Sequence, residues 1–382
     1  MSETPARPYI GGQAVIEGVM MRSPGSFAIV CRRKQSGELV VREKPMTATA
    51  GGLKTWPLFR GVATVVESLR LGSRALRWSA EIYEQGLDEE ERAAQPGGVA
   101  KGAADTAKKL SSAVALSIAA LATQDGREAP PLPDPDGKKG GGGLATALPI
   151  LFALGLFVFL PQAGAEGINK LFKLDLAVTS PAFQAITGVA KLLIVVAYLL
   201  GIRQNSEIRR VFQYHGAEHK TISTYEANED LVVENARKKT TAHPRCGTTF
   251  LVMVALVSVI IFSVAGAFLS AAQVLPKMES RVLENLVFLA FKLPFLPIVA
   301  AVTFEIQRFF ARYCTTGPLR VLLWPGFLVQ KITTAEPDDA QLEVALASLR
   351  ATLWREQAAH APEREDRVFE SYPALVADRG YA

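Results

Sequence analysis

Four apolar blocks, each long enough to cross a bilayer, constrain this chain more than any other feature. They run over about 144–163, 183–202, 248–274 and 286–304. About twenty apolar residues in a helix match the hydrocarbon thickness of a membrane. Lipid offers no partner to backbone N–H and C=O groups, and a helix satisfies its own. The predicted fold class is therefore mainly α: a polytopic membrane protein with four transmembrane helices. The composition agrees, with a mean hydropathy of +0.18 alongside 21% charged residues, which fall largely between the apolar blocks.

The connecting loops predict an orientation. Loop 203–247 carries eight Lys and Arg, against two in 164–182 and two in 275–285. Basic excess marks the cytoplasmic side, so both termini and loop 203–247 are expected inside. The net charge of +5 over 382 residues is modest and gives no argument for nucleic-acid binding. The expected partner is the lipid bilayer. Cys31, Cys246 and Cys314 are odd in number and far apart, which points to thiols facing a reducing compartment rather than a disulfide framework. The polar, Pro-rich opening residues predict no secretory signal.

Outside the membrane blocks the chain divides by composition. Residues 1–50 hold a glycine-rich segment, Gly11 to Met21, and a small β element. Its two extended runs, Phe27 to Arg33 and Glu38 to Glu43, are joined by a hairpin turn over Lys34 to Gly37. The glycines imply tight turns or close backbone contact, and their spacing fits neither a P-loop nor a dinucleotide fingerprint. Region 51–83 contains an amphipathic helix over 58–78, with Leu58, Val62, Val65, Val66 and Leu69 on one face. Such a basic helix either lies on the leaflet or packs on the rest of the protein. Residues 84–143, rich in Pro and Gly, read as a flexible linker, with Leu110 to Ala122 as a short interfacial or re-entrant helix. The four-span membrane domain is 144–304. A helical C-terminal region, 305–382, follows. Pro337 and the acids after it predict a helix start, and Leu342, Leu346, Leu349 and Leu353 predict one apolar face. The tail after His360 reads as polar and mobile.

Loop 203–247 carries the chemistry. His215, Glu218 and His219 have the order H-x-x-E-H of an inverted zinc-hydrolase pattern. Two His at i and i+4 share a helical face, about 6 Å apart along the axis, and can reach one metal. Glu218 beside them is a candidate general base. His243 and Cys246 end the stretch, with Pro244 fixing the turn between them. Binding by all four side chains makes a closed, structural site. Binding by three leaves a position for water, and three imidazoles with Cys246 merely nearby is the more reactive arrangement. Glu226 lies on nearly the same helical face but about 10 Å further along, beyond reach of the same ion. Glu17, within the glycine-rich segment, is a further candidate. Within the membrane blocks Lys191 and Lys292 stand out, Lys292 next to Pro294 and Pro297. Intramembrane charge either marks a functional cavity or snorkels to the interface.

Four stretches together resemble one known group: GGQAVIEGVMMRSP at 11–24, YHGAEHKTIS at 214–223, HPRCGTTFL at 243–251 and PGFLVQKITTAEPDDAQLEVA at 325–345. They are similar to the YqhQ-like family of bacterial multi-pass membrane proteins, which has no established function and is labelled a predicted metal-dependent enzyme. The resemblance covers nearly the whole chain apart from 84–143 and the extreme tail, and it implies a bacterial inner-membrane location. By position, the family's motif residues fall on His215, His219 and His243, with Glu218, Glu226 and Cys246 beside them. One departure is Thr303-Phe304-Glu305, where family members tend to carry Ser-Tyr-Glu.

Three functions follow as expectations. The first is a juxtamembrane hydrolase using a divalent metal, zinc by ligand type, on a membrane peptide or lipid head group. The second is a non-enzymatic assembly factor in which the cluster is a structural clip. The third is a transporter component dependent on Lys292.

Overall fold

The computed structural model describes residues 7–46, 56–94, 151–272, 280–313, 318–358, 361–378 and 381. Most of the expected linker, including Leu110 to Ala122, and Cys314 lie outside the described residues. Among the described residues, four helices are long and apolar enough to cross a membrane. They are α2 (Leu151–Leu171), α3 (Pro181–Ile202), α6 (Gly247–Ala271), and a broken fourth made of α7 (Arg281–Lys292) and α8 (Leu296–Tyr313). A 3-10 turn over Leu293–Phe295 separates the two halves of the fourth. Pro294 and Pro297 each remove a backbone donor there, which accounts for the break. Each predicted span overlaps one of these helices. Ser180 caps α3 ahead of Pro181, and Cys246 caps α6.

The four membrane helices carry a second layer at one end. Its centre is a five-stranded antiparallel meander, β1 (Gly11–Val15), β2 (Gly18–Arg22), β3 (Ser26–Arg32), β4 (Leu39–Pro45) and β5 (Arg367–Phe369), paired in that order. The expected hairpin is β3 and β4. The glycine-rich segment, expected to make tight turns or close backbone contact, forms β1 and β2 with a tight turn at Glu17 between them and a close approach at Gly12. The tail expected to be mobile supplies β5. Both faces of the sheet are covered. Val15, Met20, Phe27, Ile29, Cys31 and Val40 pack on α1 (Phe59–Ala94) through Leu71, Ala75, Leu76, Trp78 and Ile82. Ala14, Val19, Met21, Ala28, Val30 and Val41 pack on α4 (Ser206–Glu226) and α10 (Asp339–Gln357). Burial on two faces explains why these strands read as near-continuous apolar runs rather than as an alternation.

Three local expectations change. Helix α1 continues to Ala94, into the region expected as linker. It packs at its start against α8, where Arg60 pairs with Glu305 at 2.5 Å, so its core partner is the protein itself. Helix α10 does not start at Pro337: Asp338 caps it, and Gln341 reciprocates in a capping box. Nor is α10 one-sided. Leu342, Val344, Ala345, Leu346, Ala347, Leu349 and Ala351 are all buried, because the sheet covers one side and α4 the other. The remaining elements are short: α5 (Val233–Arg237), α9 (Trp324–Thr333) and α11 (Tyr372–Ala377).

Candidate metal centre

Helix α4 begins at Asn205, whose side chain accepts from the Glu207 and Ile208 N–H groups, and runs unbroken through the H-x-x-E-H motif. One turn apart, the rings of His215 and His219 lie 4.4 Å centroid to centroid. Each is held from behind. His215 Nδ1 lies 2.9 Å from the Thr333 carbonyl at the end of α9, and His219 Nδ1 lies 2.5 Å from the Thr241 carbonyl. A carbonyl only accepts, so both Nδ1 atoms carry the proton and both Nε2 atoms present a lone pair. This is the arrangement in which outer partners orient metal-binding histidines.

Cys246, the residue capping α6, closes the group. Its Sγ lies 3.3 Å from His215 Nε2, and ligand atoms of His215, His219 and Cys246 all fall within 4.8 Å of one another. All three residues are buried. A thiol has one proton to donate, so it can satisfy only one of two converging Nε2 acceptors. Burial holds the His219 pKa below its ordinary value, favouring the neutral ring that a metal needs. Two imidazole nitrogens and a thiol fit a zinc-type ion in donor chemistry and count.

Glu218 faces the glycine-rich strand β1. A Cβ on Gly12 would stand 2.7 Å from Glu218 Cγ, so only glycine lets the strand come this close. The Ala14 N–H donates to the carboxyl, while Oε2 is buried with no hydrogen-bond partner. Burial pushes the Glu218 pKa up to about 8, with His215 opposing. Around these groups is a cavity of about 30 Å³, lined by Gly12, His215, Glu218, His219 and Cys246. That volume admits a water or two.

The structure places the other candidates differently. His243 is buried and its ring is 5.6 Å from that of His219, but its Nε2 lies 3.4 Å from Glu226 Oε2. Its backbone is gripped by Gln330, which accepts from the His243 N–H at 2.9 Å and donates to the His243 carbonyl at 2.9 Å. The ligand trio among the described residues therefore contains Cys246 in the place where three imidazoles would make the more reactive site. Glu226 is the last residue of α4 and accepts from both His243 and Arg245. Burial alone would raise its pKa, yet these two partners bring it below the ordinary carboxylate value. Glu17 sits in the β1–β2 turn at φ +49° and ties the sheet to α4, with Arg210 at 2.5 and 2.6 Å and the Tyr214 hydroxyl at 3.1 Å. Lys191 and Lys292 lie in the membrane helices, apart from this centre. Sequence reasoning missed Thr241, Thr333 and Gln330. Two of them fall inside the quoted stretch 325–345, the only signal available.

The family description "Protein of unknown function (DUF1385)" matches residues 56–355. The chain belongs to the DUF1385 family. Among its relatives is the uncharacterized protein YqhQ of Bacillus subtilis (strain 168), 27% identical over 354 residues, which span 92% of this chain and 95% of that protein. No solved structure matches. The DUF1385 match takes in all four membrane helices and the His215, His219 and Cys246 trio, whereas Gly12 and Glu17 lie before it.

Proposed function

We propose that this DUF1385 protein is a zinc-dependent hydrolase at the cytoplasmic face of a bacterial inner membrane, acting on a membrane peptide or lipid head group. The observation that carries this reading is the convergence of two Nε2 lone pairs and the Cys246 sulfur beside a buried carboxyl oxygen without a partner. His215 and His219 would hold the ion through Nε2, and Cys246 as a thiolate. Held by these three side chains, a zinc ion would supply Lewis acidity toward water and toward a scissile carbonyl or phosphoryl group. Glu218 stands in the same cavity to accept a proton from water and return it to the leaving group. Placement at the first residue before an apolar span suits a substrate presented at the membrane surface. The eight basic residues of loop 203–247 support the cytoplasmic orientation.

A second reading, a structural metal clip, is favoured by the thiolate, which lowers the Lewis acidity of zinc, and by the small cavity. The two separate on Glu218→Gln. Zinc-loaded protein is assayed against panels of membrane peptides and phospholipids, with bound zinc measured in parallel. Hydrolysis should fall by about 10²–10⁴-fold in Glu218→Gln while the zinc is retained. Undiminished hydrolysis in the variant, or none by zinc-loaded wild type on either panel, contradicts the hydrolase.

A further inference from the structure

Lys292, singled out in the sequence, does not snorkel. It is 2% exposed and is the last residue of α7, about 16 Å from the Arg281 end at 1.5 Å per residue. That depth is close to the middle of a bilayer core about 30 Å thick. Its ammonium donates to Gln162 Oε1 at 2.5 Å and stands over the rings of Phe288 and Phe262 at 4.8 and 5.2 Å. Lys191 is at a matching depth on α3, ten residues from Pro181, and donates to Ser258 Oγ at 3.1 Å. The Ser258 hydroxyl itself donates to the Ala255 carbonyl at 2.8 Å.

Both lysines line one cavity of about 20 Å³, to which all four membrane helices contribute through Val158, Lys191, Ser258 and Lys292. Among the described residues, no Asp or Glu lines it. The carboxylate along the same polar network, Glu166, is reached only through Gln162 and Asn285, and it is engaged by Asn285 and Arg281. Each ammonium has three donors, and the neutral oxygens of Gln162 and Ser258 take one apiece. Two amine-bearing side chains thus share one space with donors to spare and, among the described residues, no carboxylate facing them.

We propose that this cavity binds one monovalent anion of the chloride class between Lys191 and Lys292. The geometry selects the class. A single-atom anion can accept from both ammonium groups without further donors, whereas a sulfate or phosphate brings several oxygens that need more: Val158, Phe262 and Leu296 are apolar, and the Gln184 amide and Thr187 hydroxyl are already spent on the Val178 and Phe183 carbonyls. The site is distinct from the histidine cluster, which sits at the end of the bundle, and it stands whether or not that cluster binds zinc.

The test is thermal unfolding of the purified full chain in detergent, titrating sodium chloride against sodium gluconate at constant ionic strength. Chloride should raise the midpoint saturably, since a ligand at 100 times its Kd multiplies the folding constant about 100-fold. Sulfate at matched ionic strength should not. Lys292→Met and Lys191→Met, which keep the side-chain length without the charge, should fold and lose the response. Broadening of the ³⁵Cl NMR line by wild type but not by either variant reads the same site without reference to stability. An unchanged midpoint in chloride, an equal rise in sulfate, or a full response in both variants overturns the proposal.

Discussion

His215 and His219 both turn Nε2 to the cavity because carbonyls behind them engage Nδ1, and one of those carbonyls depends on a glycine. A Cβ at Gly216 would run into the carbonyl oxygen of Ala335, which is backbone and cannot rotate away. Ala335 in turn donates its N–H to the Phe212 carbonyl at 2.9 Å, holding the end of α9 against α4. Gly216→Ala should therefore push Thr333 from His215 and weaken zinc binding about 10–100-fold, the usual loss for an outer partner. Competition with a chelator of known affinity measures it; unchanged affinity would show that the Thr333 carbonyl is dispensable. The spacing of His215, Glu218 and His219 was legible in the sequence because helical geometry is local. The tie between Glu218 and Gly12 was not, since it joins a strand to a helix far along the chain. The choice between Cys246 and His243 rests on how Gln330 holds the turn at Pro244, a contact from a third element.

Among the elements, the membrane helices were the most legible, because their length and apolarity answer to lipid rather than to neighbours. Helix α10 was the least. Its leucines repeat as on an amphipathic surface helix, yet Ala345, Ala347, Ser348 and Ala351 between them are buried as well. Small residues admit close neighbours on every side, and periodicity does not report this. The capping box makes α10 sensitive at one position. Asp338 accepts from the Gln341 N–H at 2.8 Å, and its own N–H donates to Gln341 Oε1 at 2.9 Å. Asp338→Ala should lower the stability of the extramembrane layer by about 1 kcal/mol, read as a shifted unfolding midpoint. No shift would mean that packing alone positions α10.

At the scale of the whole molecule, the chain's two ends meet in one sheet. Strand β5 pairs with β4, and Tyr381 packs against Trp354 and Phe369 while its hydroxyl donates to Glu43 at 3.0 Å. A polar tail gave no hint of this, because three residues of edge strand carry almost no pattern. A chain ending at residue 360 should expose the β4 edge and leave Glu43 buried without Tyr381. It should unfold at lower temperature and aggregate; light scattering and a melting curve would show it, and a truncated chain as stable as the full one would remove β5 from the structural core. The same sheet places Gly12 against Glu218, so the extramembrane layer and the candidate metal site are built together.

The most direct measurement is metal content. Protein purified in detergent without chelator is analysed for zinc, iron, manganese and copper per chain, beside His215→Ala, His219→Ala, Cys246→Ala and Glu218→Gln. About one zinc per chain is expected, lost in the first three variants and kept in the fourth. A folded wild type that holds no metal and stays empty after zinc is added back would contradict the metal centre and the hydrolase with it.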